Sequence, residues 1–271
     1  MKLGYIDYLN CYPFYFSMFE RQTVEGICIY PGYPCMLNQM ITDHRLDMSP
    51  VSSAACAQIA DDVVVLPQFC LSSVGYVGSV ILVSKIPIED LNHKKVGITS
   101  ASHTSKVLLK VLLKNYYHLE PVYVPSQPRP VLKDLDAALV IGNDAMAISS
   151  EPISYIYDLG DLWLRKTGFP VVFAVFAIRQ RVVEKYLPRI RSVIASYHRS
   201  LNCLEEEKEH VVSKARAKYP DIIYDINGYF DLLEFEFDDQ LKKALMFYYT
   251  IAGEMGLLRK VRRLNYLTSV D

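Results

Sequence analysis

The side chains best placed to do chemistry in this chain are small and neutral, and they stand just behind strand-like segments. Asn10 follows "KLGYID", Ser52 and Ser53 follow "LDMSPV", and Ser100, Ser102, Thr104 and Ser105 follow "KKVGIT". Asn143 and Asp144 follow "DAALVIG", and Ser73 and Ser79 lie in the segment between two of these units. Open α/β sheets bind ligands beyond the carboxyl ends of their strands. Backbone N–H groups at helix starts attract anions there. The chemistry indicated is recognition of a small carboxylate without a lysine or arginine clamp. Ser, Thr and Asn are also the ordinary caps of helices. Each residue alone therefore reads first as a structural cap, and only their common location points to a ligand; Asn10 can be an Asx cap of the first helix and a ligand contact at once.

Motifs of the common catalytic classes do not occur in the sequence. It has no G-x-S-x-G elbow, no phosphate-binding G-x-x-x-x-G-K-[ST] loop and no G-x-G-x-x-G behind a strand. His103 stands alone at a helix start and reads as a capping or surface residue. The six cysteines form no C-x-x-C pair and have no histidine at finger spacing. They read as reduced, mostly buried thiols, with Cys11 notable only for adjoining Asn10. Reduced thiols are expected here rather than a metal site.

These residues need strands and helices to hold them. Strand-like and helix-like segments alternate, which predicts an α/β fold. Strands are expected at "KLGYID", "GICIYP", "LDMSPVS", "DVVVLP", "EPVYVP" and "DAALVIG", and helices at "CMLNQMITDHR", "SAACAQIA" and "SHTSKVLLKVLLKN". Pro13 suits the first turn of a helix that continues through Phe14, Phe16, Met18 and Phe19. Two long β runs, "SVGYVGSVILVSK" and "FPVVFAVFAIR", bracket a self-contained middle. Beyond Arg179 the chain reads as helical, with the acidic run Glu205–Glu207 opening a helix. The pattern predicts two domains joined by two crossing strands, one made of 1–84 plus 177–271 and the other of 85–176. A cleft between them suits a small ligand.

Composition limits the partners. Among 271 residues, 51% are hydrophobic and 22% charged, with a formal net charge of −1. No basic cluster interleaves with stacking aromatics, so nucleic acid is not an expected partner. The longest apolar run, Val171 to Ile178, is too short to span a bilayer. The first ten residues lack the apolar core and cleavage site of a secretory leader. A cytoplasmic protein without membrane contact is expected, as a monomer or homodimer.

Several stretches, in this order, resemble one family: "YLNCYPF", "LDMSPVSS", "SVILVSKIPIEDL", "SHTSKVLLKVLL", "DAALVIGNDA", "YDLGDLW" and "TGFPVVFAVFA". They are similar to the chorismate dehydratases (MqnA) of the futalosine route to menaquinone. The resemblance covers about residues 3–180 in order and the helical remainder more loosely. It implies a type-2 periplasmic-binding-protein fold with a double-strand hinge and a central cleft. It implies dehydration of chorismate to 3-[(1-carboxyvinyl)oxy]benzoate, without a cofactor. Asn10 matches the family's Y-L-N motif and Ser79 its hinge serine, which implies contact with the reacting centre. Ser102, Thr104 and Ser105 match its S-x-T-S turn, and Ser52, Ser53 and Asn143 are expected to line the cleft. Two positions depart from the family pattern: Asn143 replaces the commoner aspartate, and Phe176 a tryptophan. Phe176 and Trp163 read as packing residues.

Three rivals follow from the same residues. A solute receptor for a small carboxylate would carry a leader or lipid anchor. The sister dihydroxynaphthoate synthases begin with an S-P-C-P-N-D-like motif, unlike "YLNCYPF". A ligand-sensing regulator would need a DNA-binding segment.

Overall fold

In a computed structural model, residues 1–99, 101–148 and 153–268 are described; Ser100 lies outside them. The chain begins with β1 (Lys2–Ile6), a short turn, and α1 (Tyr12–Glu20) with Pro13 in its first turn. β1 buries every residue after Lys2, as a parallel strand covered on both faces must. Next come β2 (Cys28–Gly32), α2 (Pro34–Thr42), β3 (Met48–Ser52), α3 (Ser53–Ile59) and β4 (Val63–Ser73). The middle of the chain supplies β5 (Val80–Ser84), β6 (Lys95–Thr99), α4 (His103–Val111), β7 (Val122–Ser126), β8 (Ala137–Ile141), α5 (Gly142–Met146), β9 (Tyr155–Asp158) and α6 (Leu159–Thr167). The remainder is β10 (Val171–Arg179), α7 (Val183–Glu206), α8 (Lys208–Lys218), α9 (Ile226–Asp231), β11 (Glu234–Glu236) and α10 (Asp239–Glu254).

The strands form two sheets, ordered β11-β4-β10-β3-β1-β2 and β7-β6-β8-β5-β9. Each mixes parallel pairs with antiparallel ones. Aromatic rings fill the core under the first sheet: Phe14 packs on Phe176 at 4.5 Å between centroids and edge-on to Tyr197 at 5.5 Å. Trp163 is 1% exposed and meets Phe247 and Tyr248 edge-on. Both residues read from the sequence as packing residues are therefore core.

The long β run expected over 73–85 is broken. β4 ends at Ser73, and β5 starts at Val80 in the other sheet. Gly75 and Gly78 take φ of +86° and +70°, which no strand tolerates. The Asp158 carboxylate accepts from the N–H groups of Val77 and Gly78, removing them from any ladder. β10 lies wholly in the first sheet. The sheets thus exchange at 74–79 and 168–170, whereas the sequence reading put the divisions at 84/85 and 176/177 inside two crossing strands; neither β5 nor β10 crosses between the sheets. Glu205 and Glu206 close α7 rather than opening a helix; only Glu207 caps α8. No helix among the described residues is long and apolar enough to cross a membrane.

Candidate functional site

The loop after β1 sets the first wall of a cavity between the sheets. The chain turns at Leu9–Cys11 and enters α1 with Cys11 as its N-cap, without any side-chain capping bond. Asn10 therefore does not cap the helix. Its Oδ1 is buried and has no partner among the described residues. Cys11 is fully buried, and burial raises its thiol well above its ordinary range, so it is an inert packing group.

Three hydroxyls face the same cavity, and each already accepts at least one hydrogen bond. Ser52, the N-cap of α3, accepts from Ala55 N and from Asn38 Nδ2 at 3.1 Å. Ser79 accepts from Tyr229 Oη at 2.9 Å. Ser105 accepts from Ser102 Oγ at 2.9 Å, while Ser102 in turn caps α4 by accepting from Ser105 N at 3.2 Å. A hydroxyl has one proton and two lone pairs. Bonds of this polarity leave the protons of Ser52, Ser79 and Ser105 for a ligand.

Asn10, Ser52, Ser79, Ser102 and Ser105 line one narrow cavity of about 50 Å³, with Tyr8, Gly142 and an apolar wall including Leu71, Val80, Ile141 and Phe173. No Asp, Glu, Lys, Arg or His is among its described lining residues. Ser53, Thr104 and Asn143 do not line it. Ser53 Oγ donates to Val172 O at 2.6 Å. Thr104 Oγ1 donates to Phe173 O at 3.1 Å and accepts from Ala54 N at 3.0 Å, so it ties α4 of the second sheet to α3 and β10 of the first. Asn143 Oδ1 accepts from Leu9 N at 3.0 Å. A carboxylate oxygen at this position would accept the same bond, so the aspartate expected from the family pattern is not needed for it. Asp144 pairs with Arg129 at 2.6 Å and does not line the cavity. His103 is half-buried at the first residue of α4; burial, then Lys106, lowers its pKa. Ser73 spends its proton on Gly75 O.

Sequence reasoning missed Tyr8 and Gly142. Tyr8 is 5% exposed, and its hydroxyl has no partner among the described residues. Its only sequence signal is its place two residues before Asn10. Burial, then the Asp144 carboxylate, holds the phenol well above its ordinary pKa, so it is a neutral donor.

A larger groove of about 1070 Å³ runs beside β11. Glu205, Asp231, Glu234, Glu236, Asp238 and Asp239 line it, which repels a carboxylate. The small cavity at the strand ends is the better candidate.

Residues 1–254 match a family profile described as menaquinone biosynthesis. A chorismate dehydratase of Thermus thermophilus is 30% identical over 195 residues, covering 66% of this chain and 69% of that protein. A 1,4-dihydroxy-6-naphtoate synthase of the same organism is 22% identical over 226 residues, covering 82% and 81%. Among solved structures, an Archaeoglobus fulgidus protein superposes with a TM-score of 0.67 at 19% identity over 95% of this chain and 98% of that one. The periplasmic aliphatic sulphonate binding protein SsuA of Escherichia coli superposes with 0.66 at 15% identity, covering 99% and 94%. The fold is that of the periplasmic binding proteins.

Proposed function

The chain belongs to the menaquinone biosynthesis family, and from that premise we propose that it is a hydro-lyase that dehydrates chorismate to 3-[(1-carboxyvinyl)oxy]benzoate. One observation carries the reading: a cavity rich in neutral donors, with a spare acceptor at Asn10 Oδ1 and no charged acid or base lining it among the described residues. Chorismate has two carboxylates to accept such donors and one hydroxyl to donate to such an acceptor. Its reaction can proceed without a protein base. The C3 hydrogen is γ to the ring carboxylate through a double bond, so its removal gives a delocalised dienolate. Loss of the C4 hydroxyl then makes the ring aromatic.

In this mechanism the substrate's own carboxyvinyl carboxylate takes the C3 proton. The C–H electron pair enters the ring, the C4–O bond breaks, and the leaving hydroxide and the proton together make up the water lost. The protein orients and stabilises. Asn10 orients the C4 hydroxyl, which donates a hydrogen bond to its Oδ1 and keeps its proton as it leaves. Ser79, Ser52 and Ser105 donate to the carboxylates, and Ser102 holds Ser105 in place. The enzyme works in the cytoplasm without a cofactor, as a monomer or homodimer.

The test is to mix purified protein with chorismate, follow loss of the diene absorbance and identify products by mass. Catalytic formation of the enolpyruvyl-oxybenzoate, one water lighter, is the expected result. Unchanged chorismate with saturable binding would reassign the protein as a carboxylate receptor. Asn10→Leu, which deletes the acceptor at similar volume, is expected to lose at least ~100-fold in turnover; wild-type turnover would remove Asn10 from the mechanism.

A further inference from the structure

Tyr8 is the second polar group of the cavity without a protein partner. Its hydroxyl is sealed from solvent in a wall that also holds Asn10 and Ser79. The ring is set by Gly142, the first residue of α5 in the second sheet. Gly142 has φ +61° and donates its N–H to Ser79 O at 2.7 Å. A Cβ there would stand 2.8 Å from Tyr8 Cε2, so only glycine leaves room for this ring. The phenol thus belongs to the first lobe but takes its position from the second. Tyr33 packs edge-on against its other side at 5.9 Å.

A buried hydroxyl without a bond destabilises a fold, since its lost hydration is not replaced. Resting on the dehydratase reading above, we propose that the Tyr8 hydroxyl donates a hydrogen bond to the ring carboxylate of chorismate. Tyr8 then supports the reaction as a catalytic donor. The alternative acceptor is the carboxyvinyl carboxylate. A donor there would lower the basicity of the group that removes the C3 proton. At the ring carboxylate the bond strengthens as dienolate charge develops, the direction that accelerates the step. Because the phenol stays neutral, its contribution is a donated proton throughout the accessible pH range.

The test compares wild type with Tyr8→Phe, which deletes one oxygen. Turnover of chorismate is read as kcat and KM, with thermal unfolding alongside. The expected result is a fall in kcat/KM of about 10- to 100-fold, carried at least half by kcat, in a protein whose Tm equals or exceeds that of wild type. That combination separates a substrate contact from a structural hydroxyl, whose loss lowers Tm. Gly142→Ala, which crowds the ring out of place while keeping the oxygen, is expected to lower kcat similarly. Wild-type kinetics in Tyr8→Phe, a change in KM alone, or a lowered Tm would each overturn the inference. If wild type leaves chorismate unchanged, the dehydratase reading fails first and this inference with it.

Discussion

The units β3–α3 and β6–α4 belong to different sheets, yet they are built alike. In each unit a serine caps the helix that follows the strand: Ser52, the last residue of β3, takes Ala55 N, and Ser102, three residues beyond β6, takes Ser105 N. Just beyond the cap, a second hydroxyl turns away from the cavity and donates to β10. Ser53 bonds Val172 O, and Thr104 bonds the next carbonyl, Phe173 O. Consecutive tyrosines of α10 then grip the two units. Tyr249 Oη donates to Ser53 O at 2.9 Å, and Tyr248 Oη to Thr104 O at 3.3 Å. One difference separates them. Ser53 joins elements of its own sheet, whereas Thr104 crosses between sheets and also holds Ala54 N. The lesson is a division of labour within one short motif: one hydroxyl faces the cavity, directly as the cap in Ser52 or through the cap in Ser105, and its neighbour holds the scaffold.

That division can be broken most visibly on the ligand side. Replacing Ser102 and Ser105 together with alanine is expected to lower kcat/KM for chorismate by about 100-fold, read by steady-state kinetics. Full activity would leave Ser102 a cap alone and remove Ser105 from the ligand contacts. On the scaffold side, Thr104→Val keeps shape but leaves Ala54 N and Phe173 O without their partner. A loss of about 2–4 kcal/mol is expected in denaturant unfolding. Ser53→Ala removes a single bond within one sheet and is expected to cost about 1 kcal/mol while kcat stays at the wild-type value. A Ser53→Ala protein with impaired kcat would put that hydroxyl back among the ligand contacts.

The smallest effect concerns His103, which opens α4 and lies outside the cavity lining. Burial and Lys106 lower its pKa below 6.5 in the folded state. The unfolded chain therefore binds its proton first. Its share of stability is complete above pH 6.5 and is lost as pH falls through the lowered value. His103→Gln is expected to flatten that part of a Tm-against-pH profile. An unchanged slope would show the imidazole to be as well solvated folded as unfolded.

The alternation of strands and helices was legible because each unit carries its own periodicity and caps. The cluster of Asn10, Ser52, Ser79, Ser102 and Ser105 was legible because strand ends point to one place in such sheets. What separates Ser52 from Ser53, or Ser105 from Thr104, was not. The deciding acceptors, Val172 O and Phe173 O, lie on a strand far along the chain. The break at 74–79 was hidden likewise, since Asp158 takes up its N–H groups from a distance. Tyr8 was hidden because an unpartnered hydroxyl is defined by what tertiary packing withholds from it.

The small cavity and the Thr104 tie have a kinetic consequence. A cavity of about 50 Å³ lies far below the ~300–1,000 Å³ of usual small-molecule sites. A ligand of chorismate's size does not fit this cavity as it stands, and the Thr104 bonds to Ala54 N and Phe173 O are among those that hold its two sides together. Capture that waits on such an opening is expected to be a two-step event whose observed rate levels off at the rate of opening. The apparent affinity is likewise scaled down by the fraction of molecules that stand open. Thr104→Val, which removes both bonds, is expected to raise the rate of filling in stopped-flow binding; an unchanged rate would show that other contacts hold the cavity shut.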